Sequence, residues 1–299
     1  MSETQLNACG NLKLIIDHLL LHGGTTVEPI SGMFLFMMGI LAGIINSAVG
    51  SGSLLTLPVL LALGIPPGVA VRTNTIGMMF ASFGTVYGFR REISRELPFL
   101  VPMMLATIAF SALGSILLLG ASTQALDFVI PILIVFALLL VVFQQRIAKL
   151  AARWHKPSRA THLPKAPNAE VYQPVGNVYR KPGLITPMGL AAMYGGFFTA
   201  AQGILYMAIL GVGTGRSFKD VNPAKNLLSM IVNVTAALVY LFAFFFFGFE
   251  VLWIGVLVLA LGGLLGGVIG AGIAKKVSNR VLKGIIVVVA VVALIRQFV

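Results

Sequence analysis

The chain has 299 residues, of which 58% are hydrophobic and 10% charged, and its mean hydropathy is +0.97. A soluble domain of this size needs far more charge on its surface, so the composition predicts a multi-pass membrane protein. The formal net charge of +12 comes from short basic clusters between apolar stretches, without interleaved aromatic residues. This distribution is typical of cytoplasmic loops and argues against a nucleic-acid partner.

Residues 1–30 are predicted to form an extracytoplasmic tail. Residues 12–21 are apolar but too short to span a bilayer, and Lys13 and Asp17 interrupt them. We therefore expect a helix that lies at the membrane interface. Cys9 is the single cysteine of the chain, which excludes an intramolecular disulfide and a metal site built from cysteines.

Two sets of apolar segments follow, which we assign to a first transmembrane repeat at 31–143 and a second at 184–299. The segments are 31–49, 54–64, 68–89, 97–120 and 124–143, then 184–200, 203–214, 220–247, 251–274 and 281–299. Segment 54–64 would be only about 16 Å long at 1.5 Å per residue, roughly half a bilayer, and 203–214 is similarly short. We expect each to form a broken or re-entrant hairpin with the segment before it.

The stretch 144–183 is predicted to be a cytoplasmic linker. It carries eight lysines and arginines between 146 and 181 and five prolines between Pro157 and Pro182, so it cannot enter the membrane. A regulatory or lipid-binding loop is the alternative to a plain solvated connector.

The two repeats align beyond their first segments, which indicates an internal duplication. VRTNTIGMMFASFG from Val71 matches PAKNLLSMIVNVTA from Pro223, with Asn74 opposite Asn226. Because each repeat has five segments, an odd number, the two copies should face opposite sides of the membrane.

Loop charges agree with this inversion. Basic residues follow the third segment in the first copy (90, 91 and 95), but the second and fourth segments in the second copy (216 and 219; 275, 276, 280 and 283). The fold class predicted is thus an all-α membrane protein of two inverted-topology repeats, with both termini outside and the linker inside. Arg72, near the outer mouth, is the one base out of place.

Small residues interrupt an apolar segment at two matching positions, the first break (50–53) and the second break (200–203). A helix that restarts there exposes free N–H groups, which with the helix dipole form an anion site. Thr199 could add a donor at the second break. The candidate binding residues are Asn46, Ser47, Gly50, Ser51, Gly52 and Ser53 in the first copy and Gln202 and Gly203 in the second. The alternative is that the glycines and serines only allow close helix packing.

Polar residues inside the two third segments complete the candidate site. Arg72 could grip an oxyanion with its forked donors, and Lys225 could act as a point charge. Both could instead snorkel to lipid headgroups, and Asn74 and Asn226 could instead bridge helices. A proton relay would want a carboxylate within the membrane, and only Asp127 comes close; we expect it at the interface.

The stretch from Gly39 to Ile93 resembles the first repeat of the TauE/SafE sulfite-exporter-like permease family. The matching features are a break at Gly50–Ser53, a short helix with Pro58, the turn Leu63–Pro67 and the run Ala70–Asn74. The second repeat, with Asn222 to Asn226, fits more loosely. Two departures are Gly-Ser-Gly-Ser in place of consecutive glycines, and Ala-Ala-Gln-Gly at the second break. The resemblance implies transport of sulfur oxyanions, such as sulfite or small organosulfonates, across a bacterial inner membrane.

We therefore expect a permease that exports a small anion by alternating access, coupled to the proton gradient, with the lipid bilayer and the anion as its partners. No cofactor, metal or enzymatic activity is expected, because no acid–base pair, phosphate loop or metal-ligand spacing stands out. The alternatives are a carrier of an unrelated anion or metabolite, and a membrane enzyme or accessory subunit.

Overall fold

The computed structural model describes residues 29–154, 176–273 and Gly284. The tail with Cys9, residues 155–175 of the linker and, apart from Gly284, the segment predicted at 281–299 lie outside these residues, as do the bases at 275–283. The described helices are α1 (Pro29–Ala48), α2 (Ser53–Ala62), α3 (Pro67–Gly88), α4 (Arg90–Gly120), α5 (Thr123–Trp154), α6 (Pro182–Phe198), α7 (Gln202–Thr214), α8 (Phe218–Phe247) and α9 (Trp253–Ile273), with a 3₁₀ turn at Gly176–Arg180 before α6.

The predicted class, an all-α multi-pass membrane protein, is confirmed. Four stretches of the described helices are long and apolar enough to cross a membrane: Arg90–Gly120, Thr123–Phe143, Lys219–Phe247 and Trp253–Gly272. The short segments α2 and α7 form as expected, with 10 and 13 residues. Helix α5 continues beyond 143 to Trp154, into the stretch predicted as linker.

The outer surface of the bundle is far more apolar than that of a soluble protein, although the core is apolar as well. Large apolar side chains such as Phe246, 71% exposed, and Leu105, 63% exposed, lie on the outside, whereas Lys225 is 0% exposed. A lipid environment favours apolar side chains on the outer surface, and polar side chains are then placed against other helices or an internal cavity. The polar residues that carry function should thus be sought in the interior.

Helices α1 and α9 run in the same direction in close contact. Gly262 lies against Phe36 near the start of α1, and Gly270 lies against Ile44 near its end. A Cβ at Gly262 would come 2.5 Å from the Phe36 carbonyl oxygen, so this approach requires glycine. Helix α3 also runs parallel to α9, since Thr73 meets Gly255 and Gly88 meets Ala271.

Helices α4, α6 and α8 form a second parallel set. Glu96, near the start of α4, pairs with Arg216 just before α8. Towards the other ends of the helices, Ser115 of α4 and Tyr240 of α8 both donate hydrogen bonds to the carbonyl of Gly196, near the end of α6.

The two sets run in opposite directions, because α3 and α8 are antiparallel. Thr73, early in α3, accepts a bond from the Leu252 amide just after α8, and Ser82, later in α3, accepts one from Asn233. The helices at matching positions in the two halves (α1 and α6, α3 and α8, α4 and α9) therefore point in opposite directions.

Most of the described lysines and arginines lie at one end of the bundle, which we call the basic end. It contains residues 90–95 at the start of α4, 180–181 before α6, and 216–219 around the start of α8. The opposite end contains the connections α2–α3, α4–α5 and α8–α9. Among the described bases, Arg72 is the one that lies at this opposite end.

Candidate functional site

The first break turns the chain back into the bundle. Helix α1 ends at Ala48 beside the later part of α3, where the Ser47 hydroxyl lies 2.8 Å from that of Thr85. Gly50 has φ +77°, a conformation that favours glycine. Helix α2 then returns along α3, so that its Thr56 meets Asn74. The result is a re-entrant hairpin that points towards the basic end.

The second break makes the mirrored turn with residues poorly suited to it. Thr199 has φ +66° and Ala201 has φ +60°, and they are the only two non-glycine residues of the described chain with positive φ. This backbone conformation costs roughly 1–2 kcal/mol for a residue with a Cβ, and it is unusual for a β-branched one. Such strain is concentrated at functional sites.

The two breaks meet backbone to backbone. The Gly203 amide donates a hydrogen bond of 3.1 Å to the Gly50 carbonyl. A Cβ added to Gly203 would lie 2.5 Å from the Gly50 Cα, and one added to Gly50 would lie 2.6 Å from the Gly203 Cα. No side chain fits between them. The Gly203 amide is therefore engaged in this conformation and does not face a ligand.

One face of α8 covers the last carbonyls of α1. The Lys225 ammonium donates to the Asn46 carbonyl at 3.0 Å, and the amides of Asn222 and Asn226 donate to the Ser47 carbonyl at 3.1 and 3.3 Å. A cation is favoured at this position, because a helix C-terminus carries a partial negative charge. The sequence placed Lys225 and Asn226 at the site, and the structure brings them onto the first break.

Lys225 is fully buried, yet its ammonium has no acidic partner in the described ranges 29–154 and 176–273. Among the residues that the structure describes, no carboxylate lies within 4.0 Å of its Nζ. A buried charge without a counter-ion is costly. An anion that reaches the breaks would supply the missing charge.

Ser47, just before the first break, and Gly52, within it, both have contacts that serve packing. The Ser47 hydroxyl lies within 3.1 Å of Thr85 Oγ1 and of the carbonyls of Gly43 and Gly267, so its bonding capacity is already used. A Cβ at Gly52 would lie 2.2 Å from the Ala42 carbonyl, so Gly52 allows α2 to pack against α1. The contacts of Ser47 and Gly52 therefore agree with the alternative that these small residues only allow close helix packing.

Several buried polar groups around the breaks have no hydrogen-bond partner among the residues that the structure describes. They are Ser51 Oγ, both amide atoms of Gln202, Asn222 Oδ1 and Ser229 Oγ. Each belongs to a residue no more than 7% exposed. Because an unsatisfied buried group costs roughly 1–3 kcal/mol, such a concentration calls for a ligand or water. Ser53, the first residue of α2, is also buried, 4% exposed.

Asn74 lies on the other side of the first hairpin. Its Oδ1 is bonded to Thr56, and its Nδ2 has no partner. The neighbouring Thr75 hydroxyl lies 2.9 Å from that of Thr199 at the second break. Asn74 thus bridges α2 and α3 and keeps one donor that has no partner among the described residues.

Arg72 lies far from Lys225. Its Nε donates to the Glu250 carbonyl at 2.9 Å, and its guanidinium lies 5.3 Å from the ring centre of Phe249. Ser82 of α3 contacts Asn233 of α8. Arg72 lies ten residues before Ser82, and Lys225 lies eight residues before Asn233. Because α3 and α8 are antiparallel, these eighteen residues separate Arg72 from Lys225 by about 27 Å along the helix axes. A small anion therefore contacts one of these cations at a time in this conformation.

A buried charged cluster at the basic end was missed by the sequence reasoning. Glu96 is 0% exposed; its carboxylate pairs with Arg216 and accepts a bond of 2.9 Å from the Tyr179 hydroxyl. Asp127, by contrast, is exposed in the first turns of α5. The available signal for Glu96 was its position at the start of an apolar run, but its partners come from distant parts of the chain.

Comparison with known proteins gives a family match over most of the chain. The sequence model of the family described as "Sulfite exporter TauE/SafE" matches residues 35–296. A "Probable membrane transporter protein YfcA" from Escherichia coli is 25% identical over 237 residues, which is 79% of this chain and 78% of that protein.

Two other relatives match over a shorter stretch. A "Probable membrane transporter protein ORF9" from Sinorhizobium is 31% identical over 102 residues, 34% of this chain, and a "Probable membrane transporter protein" from Haemophilus influenzae is 30% identical over 100 residues, 33% of this chain. The chain covers 39% of the length of each of these two proteins. No solved structure matches.

Proposed function

The chain belongs to the sulfite exporter TauE/SafE family of membrane transporters, and on this basis we propose that it moves a small anion, sulfite or an organosulfonate, across the bacterial inner membrane. The proposed process is export by alternating access, coupled to the proton gradient. The anion binds beside the two touching breaks, where Lys225 supplies the positive charge.

The observation that carries this proposal is the buried Lys225 ammonium at the first break, with unpaired polar groups around it. Its contact to the Asn46 carbonyl holds the cation in place without neutralising it. Ser51 and Gln202 are buried with unpaired side-chain atoms. Of the amides at the start of α2, those of Leu54 and Leu55 already donate to the carbonyls of Ser51 and Gly52, so the Ser53 amide is the one that we expect to add a donor.

Opposed helix directions support the inverted repeats on which alternating access depends. Helices at matching positions in the halves point opposite ways, and each half inserts a re-entrant hairpin that reaches the other at Gly50 and Gly203. In transporters built from inverted repeats, the substrate binds where discontinuous helices meet, and rocking of one half against the other exposes it to each side. The basic end is the cytoplasmic one on this proposal.

Purified protein in liposomes tests the proposal directly. Vesicles loaded with radiolabelled sulfite, 2-hydroxyethanesulfonate, sulfate or phosphate should lose the first two faster than protein-free vesicles. Imposing a pH gradient should change that rate, and dissipating it with nigericin should reverse the change. Efflux of phosphate or sulfate alone would assign the protein to unrelated anions. Absence of flux with every anion would contradict the proposed function.

A further inference from the structure

The side chains near Lys225 include a hydrogen-bond acceptor as well as donors, which constrains the chemistry of the ligand. Asn222, Lys225 and Ser229 follow one another at helical spacing and so share one face of α8. Asn222 is 7% exposed and Ser229 is 4% exposed. Within the described part of the chain, Asn222 Oδ1 and Ser229 Oγ both lack a hydrogen-bond partner.

The orientation of the Asn222 amide is fixed by its contact. Its other amide atom lies 3.1 Å from the Ser47 carbonyl oxygen, which can only accept, so that atom is the NH₂ group. The unpaired atom is therefore the carbonyl Oδ1, which needs a donor. The Lys225 ammonium, three residues further on, is directed to the Asn46 carbonyl instead.

Lys225 supplies the net charge near the two breaks. Among the described residues, no carboxylate lies within ion-pair distance of its ammonium. Each break places a helix C-terminus beside the N-terminus of the next helix, so the partial charges of the two dipoles oppose each other. One cation balances a single negative charge. A dianion would leave one charge buried without compensation, which is costly.

We infer that the transported species is a monoanion that carries its own O–H or N–H donor, with its negative group towards Lys225 and its donor towards Asn222 Oδ1. This inference rests on the proposed function. It goes beyond that function because it predicts slower transport of a monoanion without a donor and of a dianion. A monoprotonated oxyanion and a hydroxyalkyl sulfonate share the required chemistry. A site that hydrogen-bonds a substrate hydroxyl rejects an analogue lacking it, because a buried acceptor is then left unpaired.

Two sulfonates of equal size separate this inference from simple anion transport. 2-Hydroxyethanesulfonate and 1-propanesulfonate differ in a terminal hydroxyl against a methyl group, and both are monoanions. In liposomes, we expect the wild-type protein to move the hydroxyl compound about tenfold faster or more. 1,2-Ethanedisulfonate, a dianion, should be transported more slowly than either.

Asn222→Leu removes the unpaired acceptor, while Asn226 continues to donate to the Ser47 carbonyl. This variant should reduce the preference for the hydroxyl compound to nearly one. Asn233→Leu is the matched control: Asn233 also has an unpaired Oδ1 and is 4% exposed, but it lies eight residues from Lys225, about 12 Å along α8. It should retain the wild-type preference.

Equal transport of the two sulfonates by the wild-type protein would overturn this inference and leave the proposed function intact. A preference that Asn222→Leu does not reduce, with the protein folded as judged by gel filtration, would also overturn it. If neither sulfonate nor sulfite is transported, the inference falls together with the proposed function.

Discussion

The Gly203 amide and the Gly50 carbonyl form a 3.1 Å hydrogen bond that joins the two halves of the molecule at their interrupted helices. Both residues are buried. A Cβ added to either glycine would lie within 2.6 Å of the Cα of the other. This contact places the start of α7 against the turn that follows α1. A relative movement of the two hairpins would have to alter it.

Gly203→Ala should therefore disrupt the centre of the molecule. Its Cβ would contact the Gly50 backbone, which has no flexible side chain that could move away, and overpacking of this kind costs about 1–3 kcal/mol. We expect a lower thermal unfolding temperature in detergent and reduced anion flux. Gly120→Ala is the control, because nothing lies within 4 Å of a Cβ there, and it should match the wild type. Equal stability of the two variants would argue against the close contact.

The strain at the second break predicts a stabilising substitution. Ala201 has φ +60°, and replacing it with glycine removes the penalty of a Cβ in this conformation, roughly 1–2 kcal/mol, while adding the entropy cost of glycine, about 0.5–1 kcal/mol. We expect Ala201→Gly to raise stability by up to about 1.5 kcal/mol, measured by unfolding in detergent.

The neighbouring alanine supplies the control for this prediction. Ala200 is equally buried but has no positive φ, so Ala200→Gly gains nothing and should lower stability by about 0.5–1 kcal/mol. Destabilisation of similar size by both substitutions would show that Ala201 is not strained.

The helices and the positions of the two breaks could be predicted from the sequence, because apolar runs and small-residue interruptions are local signals. The sequence also identified Lys225 and Asn226 as polar residues in an apolar segment. It could not show that Lys225 binds the Asn46 carbonyl, since 179 residues separate the two. It likewise could not show that Gly203 already donates to Gly50.

Arg72 and Glu96 show where local reasoning fails. Arg72 and Lys225 occupy similar places in their repeats, so the sequence suggested a shared anion site; the antiparallel arrangement of α3 and α8 instead places them about 27 Å apart along the helix axes. Glu96 reads as a loop carboxylate beside three arginines, at 90, 91 and 95. Its burial follows from Arg216 and Tyr179, which reach it from 120 and 83 residues away.

The Glu96–Arg216 pair should contribute strongly to stability at the basic end. Removing one partner of a buried ion pair leaves the other charge uncompensated and costs about 3–5 kcal/mol. We expect Glu96→Gln and Arg216→Gln each to destabilise the protein, and the double variant to be no less stable than either single one. A double-mutant cycle from denaturant unfolding gives this coupling.

An exposed carboxylate provides the comparison for that cycle. Glu250 is exposed and binds Arg72 through its backbone carbonyl. Its carboxylate also attracts the Arg72 guanidinium, but solvent screens an exposed pair, so Glu250→Gln should change stability by less than about 1 kcal/mol. Additive effects of Glu96→Gln and Arg216→Gln would contradict a direct pair.

Labelling of single cysteines tests which end faces the cytoplasm. In a Cys9→Ser background the chain has no other cysteine, so a new one can be placed at will. Ser94 at the basic end and Gln124 at the opposite end are both exposed. In intact cells, an impermeant maleimide should modify Gln124→Cys, and should modify Ser94→Cys only after permeabilisation. Modification of both from the same side would contradict the proposed orientation of α4.

Replacing the two buried cations with glutamine should separate their roles. Lys225→Gln keeps a donor for the Asn46 carbonyl but removes the charge that attracts the anion, so we expect flux in liposomes to fall at least about tenfold with little loss of stability. Arg72→Gln loses the Glu250 and Phe249 contacts, so its flux should fall together with its unfolding temperature. Lys219→Gln, at an exposed position six residues before Lys225, controls for general charge loss and should transport normally. Normal flux in Lys225→Gln would show that this lysine is not part of the anion site, because a neutral amide would then serve as well as the ammonium.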